Sequence, residues 1–307
     1  MLTRILHNSD QLISFFNDLG LDLMLPQRQH ALNMADALLV CEDTKTLAAL
    51  QRQFVQAPDA SNMADFLRIS PWQANDVRDA LRHYQVAHLL AAATKTKAPQ
   101  VIYVNIDDSL GRKTRPPATF RWWIGIMTTA KAPKASRATK RFCYLVCTLR
   151  IGELTATIDL RLYLRQKTVR RLNRQRKKGE RLRFQSKYRL ARTILEQLRP
   201  LLPKGWKVVV QFDSWYASAN LIKYCRRQSW HVTCGLKSNR LLSDKRVDKH
   251  AQELRHKWYT KVCVTTTDGD KSNYHVRWRD GRLADIPHDV RVFFSKGTRG
   301  RKLSRTS

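Results

Sequence analysis

Acidic residues are scarce in this chain. Against 57 Lys and Arg stand only 25 Asp and Glu, a formal net charge of +32 over 307 residues. Solubility alone requires far less charge, so a polyanionic partner is the first expectation. Long apolar runs are missing too. None approaches the roughly 18 residues that a membrane span needs, and the opening MLTRILHNSDQLISFF has Asn8, Ser9 and Asp10 where a secretory signal would be greasy. The expectation is a cytoplasmic chain with no membrane partner. The six cysteines (Cys41, Cys143, Cys147, Cys225, Cys234, Cys263) include no Cys-x-x-Cys pair and no His set at zinc spacing. That excludes a disulfide framework and a structural zinc site, and leaves buried free thiols. There is no Gly-rich phosphate loop, so nucleotide hydrolysis has no support. What is present, 43% hydrophobic residues, is enough to build one large or two ordinary cores and excludes disorder throughout.

The charge is unevenly placed. Residues 1–100 hold 9 Lys/Arg and 10 Asp/Glu, whereas residues 101–307 hold 48 and 15. The shift falls near Thr94-Lys95-Thr96-Lys97-Ala98-Pro99, which marks a boundary between two bodies with different work. The densest block, Arg165 to Arg192, has 13 basic residues and a single acid, Glu180. One sign at this density repels itself unless phosphates neutralise it, so Arg174, Arg176, Lys177 and Lys178 are candidate nucleic-acid contacts.

Residues 1–97 read as an all-α domain. Leu12, Phe15, Phe16 and Leu19 share a helical face, as do Leu47, Leu50 and Phe54, and Val77, Leu81 and Tyr84. Ser70-Pro71-Trp72-Gln73 reads as the cap and first turn of the last helix. Helices over 62–67 and 71–90 form either a helix-turn-helix reader of DNA or a plain packing domain. Beyond Pro99 the period changes. Val101 to Ile106 is a buried-strand run ending on Asp107-Asp108; Phe142 to Leu149 and Thr155 to Leu164 are strands joined at Gly152; Arg181 to Leu198 is a helix. Lys207 to Phe212 is a strand ending on Asp213, Ala217 to Gln228 a helix, and Trp230 to Leu236 a further strand. This order is an α/β core with carboxylates at the C-terminal ends of two strands. From Lys257 the pattern is strand-like again, with Asp-Gly turns at Asp268-Gly269 and Asp280-Gly281.

Cutting or joining a phosphodiester needs an activated oxygen nucleophile and a stabilised departing oxygen, which a pair of divalent ions supplies. Such ions take hard oxygen ligands, and carboxylates at neighbouring strand ends in a basic body are suitable. Asp107 and Asp213 fit. A lone Asp after a strand is commonly a turn former or cap, but two of them in so acid-poor a region point to a site.

The motifs VIYVNIDDS at 101–109, VVVQFDSWYAS at 208–218 and GLKSNR at 235–240 resemble the DDE transposases of bacterial insertion sequences, in the subgroup that carries a β-strand insertion in a ribonuclease-H-like fold. The resemblance implies an α/β ribonuclease-H-like mixed sheet flanked by helices over 98–256, preceded by the helical domain and followed by part of a β-rich insertion over 257–307. It implies Mg²⁺-dependent (or Mn²⁺-dependent) cleavage and strand transfer, with double-stranded DNA at transposon ends and targets as partner and a homodimer on the DNA. Asp107 matches the first catalytic Asp, because Ser109 completes Asp-x-Ser, with Asp108 the alternative; Asp213 matches the second. The family's third acid lies in a Tyr-x2-Arg-x3-Glu-x6-Lys pattern that these residues do not contain. Glu253 is the sole Glu after Asp213 and reads as a solvated helical residue. The expectation is an open reading frame shorter than the family's, inactive alone, with a noncatalytic DNA-binding remnant that represses transposition as the alternative. An RNA-binding structural protein would explain the charge but not the strand-end acids.

Lys237, Asn239 and Arg240 follow the last core strand and are candidate phosphate contacts near the metal site. Trp258 and Trp278 read as packing in a small sheet, with base stacking as the other reading. Trp215 and Tyr216 read as core that positions Asp213, and His231 as a satisfied interior residue.

Overall fold

The computed structural model describes residues 4–112, 141–265, 269 and 271–296. These described residues form two compact units, one within 1–98 and 154–160 and the other within 99–153 and 161–307.

The first unit is built on the helices α1 Asp10–Leu19, α2 Leu25–Val40, α3 Leu47–Gln51, α4 Ala60–Arg68 and α5 Ala74–Lys95. Ser9, Thr46 and Asp59 accept backbone N–H groups that the first turns of α1, α3 and α4 leave free, and Gly20 closes α1 in the left-handed region at φ 57°. Its core gathers Ile5, Ala37, Cys41, Ala49, Leu50, Phe54 and Met63. Phe54 is buried as the spacing requires, but lies beyond α3 and bridges to Ile5. The last helix does not start at Pro71. Ser70 Oγ accepts from Gln27 Nε2 at 2.8 Å and Trp72 stacks on Phe66 with its indole N–H on the Phe66 carbonyl, so 69–73 is a packed turn and α5 begins at Ala74. A buried ion pair joins Arg82, 2% exposed, to Asp159 at 2.9 Å.

The elements that follow are β1 Val101–Arg112, β2 Arg141–Ile151, β3 Leu154–Tyr163, whose residues 154–160 group with the first unit, α6 Gln166–Asn173, α7 Lys187–Leu198, β4 Lys207–Phe212, α8 Ala219–Arg227 and β5 His231–Cys234. The five strands form one sheet in the order β3-β2-β1-β4-β5. β1 is antiparallel to β2 and parallel to β4, and β4 is parallel to β5, the ribonuclease-H-like arrangement. Apolar alternation explains the layering: Ile102, Val104 and Ile106 on β1 and Leu145, Cys147 and Leu149 on β2 are essentially fully buried, and α7 contributes Leu190, Ala191, Ile194, Leu195 and Leu198 to the core. Gly152 makes the expected turn at φ 57°.

Three local expectations need correction. β1 does not end at Ile106 but continues to Arg112, because β2 pairs with it to the Arg112–Arg141 register while β4 stops at Ile106–Phe212. α7 begins at Lys187, where Ser186 Oγ accepts from Arg189 N, and the basic residues before it include a separate helix, α6, over Gln166–Asn173. His231 is exposed, since β5 is the edge strand.

Beyond the core sheet lie a two-stranded ribbon, β6 Leu241–Leu242 with β7 Lys245–Arg246, then α9 Val247–Leu254 and a three-stranded antiparallel sheet of β8 Thr260–Thr265, β9 Lys271–Arg282 and β10 Asp289–Lys296. Asp280-Gly281 is not a turn but lies within β9, where Gly281 permits close approach: a Cβ there would stand 2.5 Å from Ser243 Oγ and 3.0 Å from Leu242 Cδ1. Gly281→Ala is therefore expected to destabilise by about 1 kcal/mol, measured by urea denaturation. Of the Asp268-Gly269 turn, Asp268 lies outside the described residues, and Gly269 has φ 84°. Trp258 is 86% exposed rather than packed, and Trp278 is 46% exposed beside Phe293 and Arg291. Cys263 is exposed and Cys234 half-buried, whereas the other four cysteines are buried. Among the described residues no helix is long and apolar enough to cross a membrane.

Candidate active site

Parallel pairing of β1 with β4 ends at Ile106 opposite Phe212, so Asp107 and Asp213 each directly follow the last register pair. Two carboxylates 106 positions apart in sequence are thus brought to the same edge of the sheet by strand register alone. Asp107 is exposed and Asp213 half-buried. Burial pushes the Asp213 carboxyl above the ordinary aspartate range; the N–H groups of Trp215 and Tyr216 oppose this, and the negative charges of Asp107 and Asp108 add to it. Asp213 Oδ1 accepts from Trp215 N at 2.9 Å and Tyr216 N at 3.4 Å, and Asp107 Oδ1 accepts from Asp108 N at 2.7 Å.

Side-chain alternation sets Asp108 on the face of Ile102, Val104 and Ile106, away from Asp107. Its two carboxylate oxygens are engaged, Oδ1 by the Tyr216 hydroxyl and Oδ2 by the Lys187 ammonium. Tyr216 is 1% exposed, and burial together with Asp108 raises its hydroxyl far above the ordinary tyrosine value. For Lys187, burial opposes the charge but Asp108 and Cys143 outweigh it, so its pKa is raised. Burial, and then the Asp108 charge, raise the Cys143 thiol.

Lys237 reaches the same edge, with its ammonium 4.9 Å from the Trp215 ring. Trp215 itself is 49% exposed, not core; its backbone holds Asp213 while its ring faces solvent. Arg240 is turned inward, its guanidinium donating to the Ala217 carbonyl, and Asn239 is exposed. A Cβ at Gly235 would stand 3.0 Å from Ser214 N, so this glycine lets the strand-end loop lie against the residue after Asp213. Glu253 sits on α9, paired with Lys245 and, at 3.1 Å, with Arg279. Among the described residues no three His, Cys, Asp or Glu side chains gather as a metal site.

Arg174, Arg176, Lys177 and Lys178 occupy an exposed loop after α6. Asn173 closes its neck by donating to the Leu182 carbonyl at 2.9 Å and accepting from Leu182 N at 2.8 Å. Among the described residues no carboxylate pairs with these four cations.

Sequence reasoning missed Lys187 and Gly235. Lys187 is one cation among 13 in its block, and only its place at the first position of a Ser-capped helix distinguishes it. Gly235 could have been noticed as the sole glycine between a strand and a basic loop.

Among curated proteins none matches the chain. Solved structures with an overall likeness include a piggyBac transposase synaptic complex with hairpin DNA (12% identity, TM-score 0.35, covering 92% of this chain and 59% of that one) and the Mos1 strand transfer complex (14%, TM-score 0.21, covering 67% and 57%). A third is the Drosophila P element transposase strand transfer complex (8%, TM-score 0.25, covering 80% and 53%). The chain thus spans less than two thirds of the length of each. The family model for the DDE superfamily endonuclease matches residues 21–281, most of the sequence, and the chain belongs to that family.

Proposed function

We propose that this DDE superfamily member is a DNA transposase of the bacterial insertion-sequence type, acting on phosphodiesters in double-stranded DNA with Asp107 and Asp213 as its metal-binding carboxylates. The observation that carries the reading is the register that sets both acids directly after paired strand residues at one sheet edge. The residues fit a hard divalent cation, Mg²⁺ or Mn²⁺: both offer carboxylate oxygens, and although burial is the main reason the Asp213 pKa is raised, the Asp107 and Asp108 charges add a repulsion that an added cation relieves. Such a cation supplies charge against the phosphate and lowers the pKa of a bound water. The chain's own residues hold and aim: Trp215 and Tyr216 N–H groups orient Asp213, Lys237 with Asn239 lines the approach for a phosphate, and Arg240, turned inward on the Ala217 carbonyl, holds the loop that carries them. The loop of Arg174, Arg176, Lys177 and Lys178 grips the duplex backbone. Two copies, one at each transposon end, would assemble on the DNA in the cytoplasm.

A second reading, a DNA-binding repressor of transposition, is favoured by one observation: no third acid joins Asp107 and Asp213 among the described residues. Both readings are tested with residues 1–307 and the DNA flanking the coding sequence. Binding to those flanks in preference to unrelated duplex is expected, with little Mg²⁺-dependent nicking by this polypeptide alone. Nicking that does occur should disappear in Asp107→Ala and Asp213→Ala. No preference for the flanking DNA sinks the transposase reading; efficient nicking that Glu253→Ala stops makes Glu253 the third acid.

A further inference from the structure

Behind the candidate ligands lies a second polar cluster that the proposed chemistry does not use. β1 brings Asp108, the turn after β4 brings Tyr216, and the first turn of α7 brings Lys187, so three separate segments converge on one carboxylate. The cluster is well enclosed, with side-chain exposures of 23% for Asp108, 15% for Lys187 and 1% for the whole of Tyr216. Tyr188 packs edge-on against the Tyr216 ring, centroids 6.4 Å apart, which fixes the hydroxyl's direction.

The cluster is wired to the ligands through the backbone. Asp108 supplies the N–H that Asp107 Oδ1 accepts, and Tyr216 supplies one of the two N–H groups that Asp213 Oδ1 accepts. The residue next to one ligand is therefore bonded, side chain to side chain, to a residue that holds the other. We propose that Asp108, Tyr216 and Lys187 form a positioning strap that fixes the spacing and aim of the Asp107 and Asp213 carboxylates and thereby sets their affinity for a divalent cation.

This rests on the reading of Asp107 and Asp213 as ligands. Asp108 is not itself a ligand in this arrangement, since a cation would have to displace the Lys187 ammonium from one oxygen and the tyrosine hydroxyl from the other. Stability alone gives little reason for the cluster: β1 faces Leu145 at this position, and apolar residues of similar volume commonly replace an enclosed ion pair without loss. Partners behind metal ligands, by contrast, typically alter metal affinity 10- to 100-fold when removed.

The test titrates Mn²⁺ into the full chain without DNA, following free Mn²⁺ by electron paramagnetic resonance. Tyr216→Phe, which deletes one oxygen, is expected to weaken Mn²⁺ binding by about 10- to 100-fold, with circular dichroism and DNA affinity in EDTA unchanged. Lys187→Met should weaken it likewise and stands in if Tyr216→Phe fails to fold. Asp108→Asn, which keeps an acceptor for the tyrosine hydroxyl, should lose less affinity than Asp108→Ala. Asp107→Ala and Asp213→Ala should each remove the binding; if neither does, the ligand reading itself fails. If both do while Tyr216→Phe and Lys187→Met bind Mn²⁺ as the parent chain does, the strap is wrong and the ligand reading stands. If Asp108→Asn abolishes binding while Asp107→Ala spares it, Asp108 is a ligand and the proposal is overturned.

Discussion

Raising salt from 50 to 200 mM is expected to weaken DNA binding by about 10³- to 10⁵-fold, the loss that goes with six to ten neutralised phosphates. The cause is release of condensed counterions from the duplex, and the excess of 48 basic over 15 acidic residues after position 100 provides the contacts. Replacing Arg174, Arg176, Lys177 and Lys178 together by alanine should lower the slope of log affinity against log salt by about 3 to 4, near 0.9 per lost contact. Fluorescence anisotropy with a labelled duplex across a salt series reads both quantities. A slope unchanged in the fourfold variant would remove this loop from the interface, because an exposed loop has no other route to the salt dependence.

The second large effect concerns stability. Arg82→Met is expected to cost about 3 kcal/mol, a factor of about 150 in the folding equilibrium. The arithmetic favours a large loss because Asp159 is 0% exposed at its side chain and faces Arg82 at 2.9 Å. Removing the guanidinium deprives a desolvated carboxylate of its 2.9 Å partner, with Arg78 Nε at 3.7 Å among its neighbours. Asp159→Asn in the same background should recover part of the loss by removing the buried charge. Urea denaturation of the single and double variants measures this, and a loss below about 1 kcal/mol for Arg82→Met would show that water reaches the pair.

How much could be read in advance varied by element for physical reasons. β4 was legible to the residue because Val208, Val209 and Val210 form a β-branched run bounded by Lys207 and Asp213. The first half of β1 was legible for the same reason. Its second half was not, since Asp107-Asp108-Ser109 carries no strand preference and is extended only by pairing with distant β2. Ser70 had the residue type of a cap, but its hydroxyl is committed to Gln27, a contact that no local window contains. α6 was obscured because only Thr168 and Val169 are buried among its cations. At the site, the positions of Asp107 and Asp213 followed from strand ends, which are local features. The engagement of Asp108 by Lys187 and Tyr216 joins three distant segments and left no trace in spacing. Trp215 was misplaced because residue type alone says nothing about which side of a turn a ring takes.

The Asn173 amide has a consequence for how this chain can change over generations. By donating to one backbone group of Leu182 and accepting from the other, it imitates a peptide unit and shuts the loop at its base. Residues 174–181 inside that closure bury nothing, so their number and identity are uncoupled from folding. On the proposed reading, substitution or insertion there would retune the grip on the duplex backbone while leaving α6 and α7 undisturbed, so different strengths of DNA binding could be explored without first acquiring compensating changes in the core.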